Sequence, residues 1–216
     1  MAKARRFFIV LTLMLSGMTA AFSQSYNAGF FVGPAFCQVD GDLYAGYNQL
    51  GFTAGFFANR PYGKYLMGQM ELKYSLYGAH SSVKEVNEHN YNPYSLRLHY
   101  AEIPLMLRYN LGHFTVGGKS LDFITLEAGA SLDFCLRAFE DVDGDFQETT
   151  DRWRFFSMTG NGGAHFAITD HWGVGARFMY SILPCRVSGA PGYSHYRYHN
   201  KVIQLTLTYT IFSPLR

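Results

Sequence analysis

Apolar and polar side chains alternate along most of this chain, and that alternation restricts its fold more than any other feature. The pattern is clearest near the end of the chain, where apolar residues occupy every second position: Ile203, Leu205, Leu207, Tyr209 and Ile211. Successive side chains of an extended strand point to opposite faces, so a period of two predicts a strand with one apolar face. The sequence therefore predicts an all-β protein.

Alternation of this kind marks about eight segments, which are separated by turn-forming residues. The segments are 26–36, 48–59, 65–77, 95–111, 121–139, 153–168, 172–182 and 203–211. Short connections at 60–64, 111–120 and 169–171 alternate with long ones at 37–47, 78–94, 139–152 and 183–200. Short turns at one end and long loops at the other are typical of an eight-stranded antiparallel transmembrane β-barrel. With both termini in the periplasm, the long loops are expected outside the cell.

The first residues have the pattern of a secretory signal peptide. Lys3, Arg5 and Arg6 precede a short apolar run, and Ala21 to Ser23 fits the small-x-small rule for cleavage. The alternative, a membrane anchor, is disfavoured because the apolar run is shorter than the ~20 residues that a spanning helix needs. We therefore predict a signal peptide at 1–23 and one barrel domain at 24–216.

Composition excludes two other classes of protein. Hydrophobic residues make up 48% of the chain, yet the mean hydropathy is only -0.06 because these residues are dispersed rather than gathered into long runs. A helical membrane protein would need such runs. The net charge is +2 and the basic residues form no stripe beyond the N-terminus, so no nucleic-acid partner is expected.

Alternation alone does not separate a membrane barrel from a soluble periplasmic barrel of the lipocalin kind. Aromatic residues near both ends of the segments favour the membrane, because aromatic rings collect at lipid–water interfaces. The girdle expected at the periplasmic rim comprises Tyr26, Tyr65, Tyr109, Phe123, Trp172 and Phe212. The girdle expected at the outer rim comprises Phe36, Tyr77, Tyr94, Phe139, Trp153 and Tyr180.

Charged residues on the polar faces would line the inside of such a barrel. They are Glu71, Lys73, Glu102, Arg108, Glu127, Asp133, Arg137 and Arg177. An eight-stranded barrel is only wide enough for side chains to fill it. Because unpaired buried charge is costly, these residues are expected to pair in a structural network that plugs the lumen.

Segment 95–111 shows a change of phase. Leu96, Leu98 and Tyr100 are even-numbered, whereas the apolar residues that follow, Ile103, Leu105 and Leu107, are odd-numbered. A shift of one residue within a strand predicts a β-bulge, here near Ala101 and Glu102.

Three groups of residues are candidate sites of metal binding or catalysis. Asp141, Asp143 and Asp145 resemble the start of a calcium loop, but the glycine stands at the wrong position for an EF-hand, so a solvated acidic loop is favoured. His195 and His199 lie in a long loop that fixes no metal geometry. Ser157, His165 and Glu127 share one face, but their spacing along the strand separates them too far for a triad. No catalytic residue, metal or cofactor is assigned.

Three cysteines are present, Cys37, Cys135 and Cys185. An odd number does not indicate a disulfide framework. One bridge is possible in an oxidising compartment, and the sequence does not identify the pair.

One segment resembles a known family. Tyr100 to Tyr109, which reads Tyr-Ala-Glu-Ile-Pro-Leu-Met-Leu-Arg-Tyr, is similar to the characteristic strand of the PorT-type outer-membrane beta-barrel family. Further similarity lies in Gly51 to Ala58, in Met70 to Ser75 followed by Gly78, and in Ala176 to Ser181. The resemblance implies an integral outer-membrane protein. It implies no catalytic residues and no single activity, although the member that gives the family its name is linked to protein secretion.

The combined expectation is a non-enzymatic barrel in the outer membrane of a Gram-negative cell. Its expected partners are outer-membrane lipid, the barrel-assembly machinery and possible protein partners at the extracellular loops. The alternatives are a membrane-embedded lipid-modifying enzyme and the soluble lipocalin-like barrel.

Overall fold

The strands of the computed structural model form one closed antiparallel barrel. The structure describes residues 26–41, 46–82, 87, 93–142, 145–186 and 198–211. The strands are β1 (Asn27–Asp40), β2 (Gln49–Pro61), β3 (Leu66–His80), β4 (Tyr94–Val116), β5 (Lys119–Val142), β6 (Asp145–Glu148), β7 (Phe156–Ala167), β8 (Trp172–Ser181) and β9 (His199–Thr210). The predicted signal peptide at 1–23 lies outside the described residues. No described helix has the length and apolar character needed to span a membrane.

Eight of these strands close the barrel, as the sequence predicted. They are hydrogen bonded in the order β4-β3-β2-β1-β9-β8-β7-β5, and the pairing of β4 with β5 joins the two edges. Strand β6 is short and pairs with the last residues of β5. A single 3-10 turn, Thr150–Arg152, precedes β7.

The two ends of the barrel differ in the length of their connections. At one end, which we call the turn end, short connections at 62–65, 117–118 and 168–171 lie with both ends of the described chain. Gly117 and Gly118 have φ of 59° and 80°, the conformation that a two-residue hairpin between β4 and β5 requires. At the other end, the loop end, the connections are the longer segments 41–48, 81–93 and 182–198, together with the region around β6.

The outer surface of the barrel is apolar and its interior is polar over the half nearer the turn end. Leu105 is 53% exposed on the outer face of β4, whereas Glu102 on the inner face of the same strand is 0% exposed. Neighbouring strands repeat this arrangement, with outward Phe56, Leu126 and Leu205 exposed. A water-soluble barrel has the opposite arrangement, so this outer surface suits contact with lipid.

The bulge predicted near Ala101 and Glu102 lies instead on the neighbouring strand. The even-numbered residues of β4 face inward without a change of phase from Leu96 to Arg108. The irregularity is in β5, because His99 pairs with Arg137 while Tyr100 pairs with Cys135, which leaves Leu136 as an extra residue.

The apparent change of phase in β4 reflects a change in the chemistry of the interior. Near the loop end the interior is an apolar core rather than a polar lumen. Its members include Cys37, Val39, Tyr77, Ala79, Leu96, Leu98, Tyr100, Cys135, Ala138, Trp153, Met179, Cys185, Tyr198 and Val202. Tyr77 and Trp153, which the sequence assigned to the outer aromatic girdle, are buried in this core. Phe212 of the other girdle lies outside the described residues.

Candidate functional site

The polar half of the interior contains a closed ring of five side chains, which we call the arginine ring: Gln69, Glu71, Arg108, Glu127 and Arg177. Arg177 donates from Nη1 and Nη2 to the two carboxylate oxygens of Glu71, at 3.0 and 2.8 Å. Its Nε donates to Glu127 at 2.9 Å. Bidentate contacts of this kind are among the strongest between a guanidinium and a carboxylate.

Arg108 and Gln69 complete the arginine ring. Arg108 Nε lies 3.4 Å from the second oxygen of Glu127, and its Nη1 donates to Gln69 Oε1 at 2.6 Å. Gln69 then donates from Nε2 to Glu71. Two carboxylates and two guanidiniums balance in charge, and β3, β4, β5 and β8 are cross-linked through the lumen.

A second group, the lysine cluster, lies next to the arginine ring on the side of the loop end. Lys73 Nζ lies 3.1 Å from Glu102 Oε2, and it also donates to Gln204 Oε1 at 3.1 Å and to the Tyr77 hydroxyl at 3.2 Å. Glu102 faces Asp133 directly across the β4–β5 pairing.

Asp133 completes the lysine cluster through two hydroxyl groups. Ser131 donates to its Oδ1 at 2.5 Å, and Thr159 donates to its Oδ2. All of these side chains are buried.

The apolar core covers the lysine cluster, and a cap of five residues closes the core at the loop end. Glu140 Oε2 lies 3.3 Å from Arg152 Nη1, and Glu140 Oε1 lies 3.5 Å from Arg186 Nη2. The guanidinium of Arg186 packs over the rings of Trp153 and Tyr198, at 5.4 and 4.9 Å from their centroids. A β-bridge between Trp153 and Arg186 fixes the two segments to each other. The cap therefore seals the interior from the loop end with a paired charge and two aromatic rings.

A small cavity lies below the arginine ring, toward the turn end. Its volume is about 40 Å³, and Arg108, His165, Thr206, Thr208 and Thr210 are among the residues that line it. His165 Nε2 and Thr208 Oγ1 are hydrogen bonded at 2.8 Å. The cavity has room for a water molecule rather than for a solute.

The structure places seven of the eight predicted lumen charges inside the barrel. Glu71, Arg108, Glu127 and Arg177 belong to the arginine ring, and Lys73, Glu102 and Asp133 belong to the lysine cluster. The assignment of Arg137 to the lumen was wrong. The extra residue Leu136 reverses the alternation of β5, so Arg137 is exposed on the outer face.

The residues weighed as a catalytic triad do not meet. Ser157 donates to the backbone carbonyl of Leu183 at 3.3 Å, and His165, eight positions further along β7, is bonded to Thr208. Eight residues of strand span roughly 26 Å at ~3.3 Å per residue. Glu127 is bound by two arginine side chains.

Three of the five candidate metal ligands, Asp141, Asp145 and His199, lie within the described residues. Within the described ranges, no group of three or more His, Cys, Asp or Glu side chains is arranged to hold a metal ion. Asp145 accepts a hydrogen bond from Gln147 at 3.3 Å, and Asp141 pairs with Ser95 in the barrel wall. Asp143 and His195 lie outside the described residues. His199 Nδ1 bonds to the backbone oxygen of Ser181 at 2.7 Å.

The three cysteines are buried and none forms a disulfide. Cys185, which lies beyond the end of β8, bonds to the carbonyl oxygen of Tyr198 at 3.2 Å. Burial raises the pKa of the Cys185 thiol to about 12. A thiol in that state is a poor nucleophile, so Cys185 contributes packing rather than chemistry.

Sequence reasoning missed the neutral members of the interior and the whole cap. Gln69 and Gln204 lie on the polar faces of their strands, and that position is the only signal that could have identified them. Arg186 and Tyr198 lie outside any regular alternation, and they meet Trp153, which the sequence assigned to the outer girdle, only through the fold of two connecting segments.

Comparisons with known proteins agree with the geometry. The sequence profile of a family described as outer membrane protein beta-barrel domain matches residues 22–185. Ail, the attachment invasion locus protein of Yersinia pestis, has a similar structure, with a TM-score of 0.51 and 14% identity over 87% of this chain and 100% of that chain. No curated protein sequence matches the chain.

Two other solved structures are similar at lower scores. Neisserial surface protein A has a TM-score of 0.48 and 13% identity over 86% of this chain and 97% of that chain. The outer membrane enzyme PagL has a TM-score of 0.39 and 12% identity over 85% of this chain and 98% of that chain. At 14% identity, the likeness to Ail shows the barrel fold alone.

Proposed function

We propose a function from the premise that this chain belongs to the outer membrane protein beta-barrel domain family and lies in the outer membrane. In this proposal the protein is a closed, non-enzymatic barrel that acts through its extracellular end. Outer-membrane barrels have short periplasmic turns and longer extracellular loops, so the loop end faces outward.

The observation that carries the proposal is the filled interior. The arginine ring, the lysine cluster, the apolar core and the cap follow one another from the turn end to the loop end. The cavity below the arginine ring is about 40 Å³, and fully buried Tyr100 and Leu98 lie between the polar clusters and the cap. A barrel filled in this way offers no aqueous path through the membrane, which argues against a pore. The surfaces available for binding a partner outside the membrane are then the two rims of the barrel.

The non-enzymatic assignment is supported by the bonding of the candidate nucleophile and base. Ser157 is hydrogen bonded to Leu183 and His165 to Thr208, so the two side chains do not bond to each other. Both face the packed interior. An enzyme acting on lipid would need these groups together at a rim, within hydrogen-bond reach of the substrate.

Three partners are proposed for this barrel. The apolar outer surface contacts membrane lipid, and the barrel-assembly machinery inserts the chain. A protein partner is proposed at the extracellular end, where the longer connections and the cap lie.

Membership of the PorT-type group is a narrower proposal that β4 supports. The motif from Tyr100 to Tyr109 supplies Glu102 to the lysine cluster and Arg108 to the arginine ring, while Leu105 and Leu107 face outward. The alternating residues of this motif therefore place charged side chains in the lumen and leucine side chains on the surface that faces lipid. A link to protein secretion stays a prediction from this resemblance.

Site-specific photo-crosslinking in intact cells tests which end of the barrel contacts a protein partner. A photoreactive phenylalanine analogue would replace Phe146, which is 45% exposed on β6 at the loop end, or Tyr62, which is 63% exposed at the turn end. We expect a discrete protein adduct at Phe146 and none at Tyr62. Adducts at Tyr62 alone, or at neither position, would overturn the proposal.

A further inference from the structure

We propose that the barrel interior binds one proton at neutral pH, shared between the carboxyl groups of Glu102 and Asp133. This inference rests on the contents of the lumen. It does not depend on the proposed function at the extracellular end.

The barrel wall places the two residues that carry these carboxyl groups directly opposite each other. Glu102 and Asp133 are directly paired residues of β4 and β5, and both point into the lumen. Side chains at such paired positions have Cβ atoms about 4.5–5.5 Å apart. Glu102 is 0% exposed and Asp133 is 4% exposed, so water does not screen their repulsion.

Among the described residues, Lys73 is the one cation in contact with this pair. Lys73 Nζ lies 3.1 Å from Glu102 Oε2, and its other polar contacts are to the neutral groups of Gln204 and Tyr77. With both carboxyl groups ionised, the lysine cluster would carry one uncompensated negative charge. A net charge buried in the middle of a barrel wall is strongly unfavourable.

The other charged groups of the described interior are already matched. In the arginine ring, Arg108 and Arg177 balance Glu71 and Glu127. At the cap, Glu140 lies against buried Arg186 and against Arg152, whose side chain is partly exposed to solvent. His165 lines the same cavity as Arg108 and Arg177 and is hydrogen bonded to Thr208. The Tyr77 hydroxyl of the lysine cluster donates a hydrogen bond to Met179 Sδ, and the Cys37 thiol in the apolar core donates one to the carbonyl oxygen of Ala35, so neither contributes a charge.

The hydrogen bonds that the two carboxyl groups accept from other residues leave a position for the shared proton. Asp133 already accepts hydrogen bonds from Ser131 and Thr159. Glu102 Oε1 is fully buried and has no hydrogen-bond partner within the described structure. A proton shared by the two carboxyl groups would provide the hydrogen bond that Glu102 Oε1 lacks. Its other acceptor would be a lone pair of Asp133 that the two hydroxyl groups do not use.

Infrared spectroscopy of the full-length barrel in detergent micelles at neutral pH tests the proposal. A protonated carboxyl group has a carbonyl stretching band above the amide I region, and the band shifts to lower frequency in D₂O. We expect one such band in the wild-type protein. Glu102→Gln and Asp133→Asn should each remove it, because the remaining carboxyl group then ionises beside Lys73.

Two further variants make the assignment specific. Glu148→Gln, which changes a carboxyl group exposed at the loop end, should leave the band unchanged. Lys73→Met removes the cation and should increase the band, because both carboxyl groups are then protonated. Heat-modifiable gel mobility identifies the variants that fold. Absence of the band in the wild-type protein, or its survival in either Glu102→Gln or Asp133→Asn, would overturn the proposal.

Discussion

At the scale of single residues, the arginine ring shows how much of the interior depends on one side chain. Arg177 contacts both Glu71 and Glu127, and no other cation lies within 4.0 Å of Glu71 among the described residues. Its removal would leave one buried carboxylate without a cation and the other with Arg108 alone.

Arg177→Met is therefore expected to lower the free energy of unfolding by about 3–5 kcal/mol, the usual cost of breaking a buried ion pair from one side. Urea unfolding in lipid vesicles, followed by tryptophan fluorescence, measures the change. Arg137→Met is the matched control, because Arg137 is exposed on the outer face and its loss should cost within about 0.5 kcal/mol. Equal effects of the two substitutions would contradict the placement of both residues.

At the scale of the strands, the closure of β1 on β9 brings two backbones close together. A Cβ atom added at Gly33 would lie 1.9 Å from the backbone oxygen of Leu205. On β7, a Cβ added at Gly162 would meet nothing within 4 Å. These two glycines therefore give opposite expectations for the same substitution.

Gly33→Ala should destabilise the barrel by about 1–3 kcal/mol, since the two strands must move apart to admit the methyl group. Gly162→Ala should leave stability unchanged or raise it slightly, because alanine restricts the unfolded chain. The same urea titration compares the two variants. A neutral Gly33→Ala would show that β1 and β9 are not paired in the register described.

The strands also show what sequence could and could not predict. Eight strands, their approximate bounds and the contrast between turns and loops followed from alternation, and the fold confirms them. The position of Arg137 could not be predicted, because Leu136 follows two other apolar residues, Phe134 and Cys135, and nothing in that run shows that one of its residues is extra.

The apolar core was missed for a different reason. Leu96 and Leu98 are inward and Leu105 is outward, although all three are the same residue type. Alternation identifies the two faces of a strand, but it does not show where along the barrel axis the interior changes from polar to apolar. The partners of each charged residue, such as Arg177 with Glu71, depend on side chains that meet across the lumen and could not be read from one strand.

At the scale of the whole molecule, the filled interior predicts a barrel that conducts no ions. In planar lipid bilayers the protein should produce no stepwise currents under conditions in which a large porin does. The apolar core and the cap are the physical reason, because side chains fill the space that a file of water would need. Regular conductance steps from the purified protein would contradict the filled interior.

The central claim is that the leucine-rich surface faces lipid while the charges face inward. Its most direct test is a single tryptophan at Leu205, which is 42% exposed on the outer face of β9, with Trp153 and Trp172 replaced by phenylalanine. In vesicles, we expect lipids brominated on their acyl chains to quench this tryptophan strongly and aqueous iodide to leave it unaffected. Quenching by iodide without quenching by brominated lipid would show that this surface meets water, and the account of the barrel would be wrong.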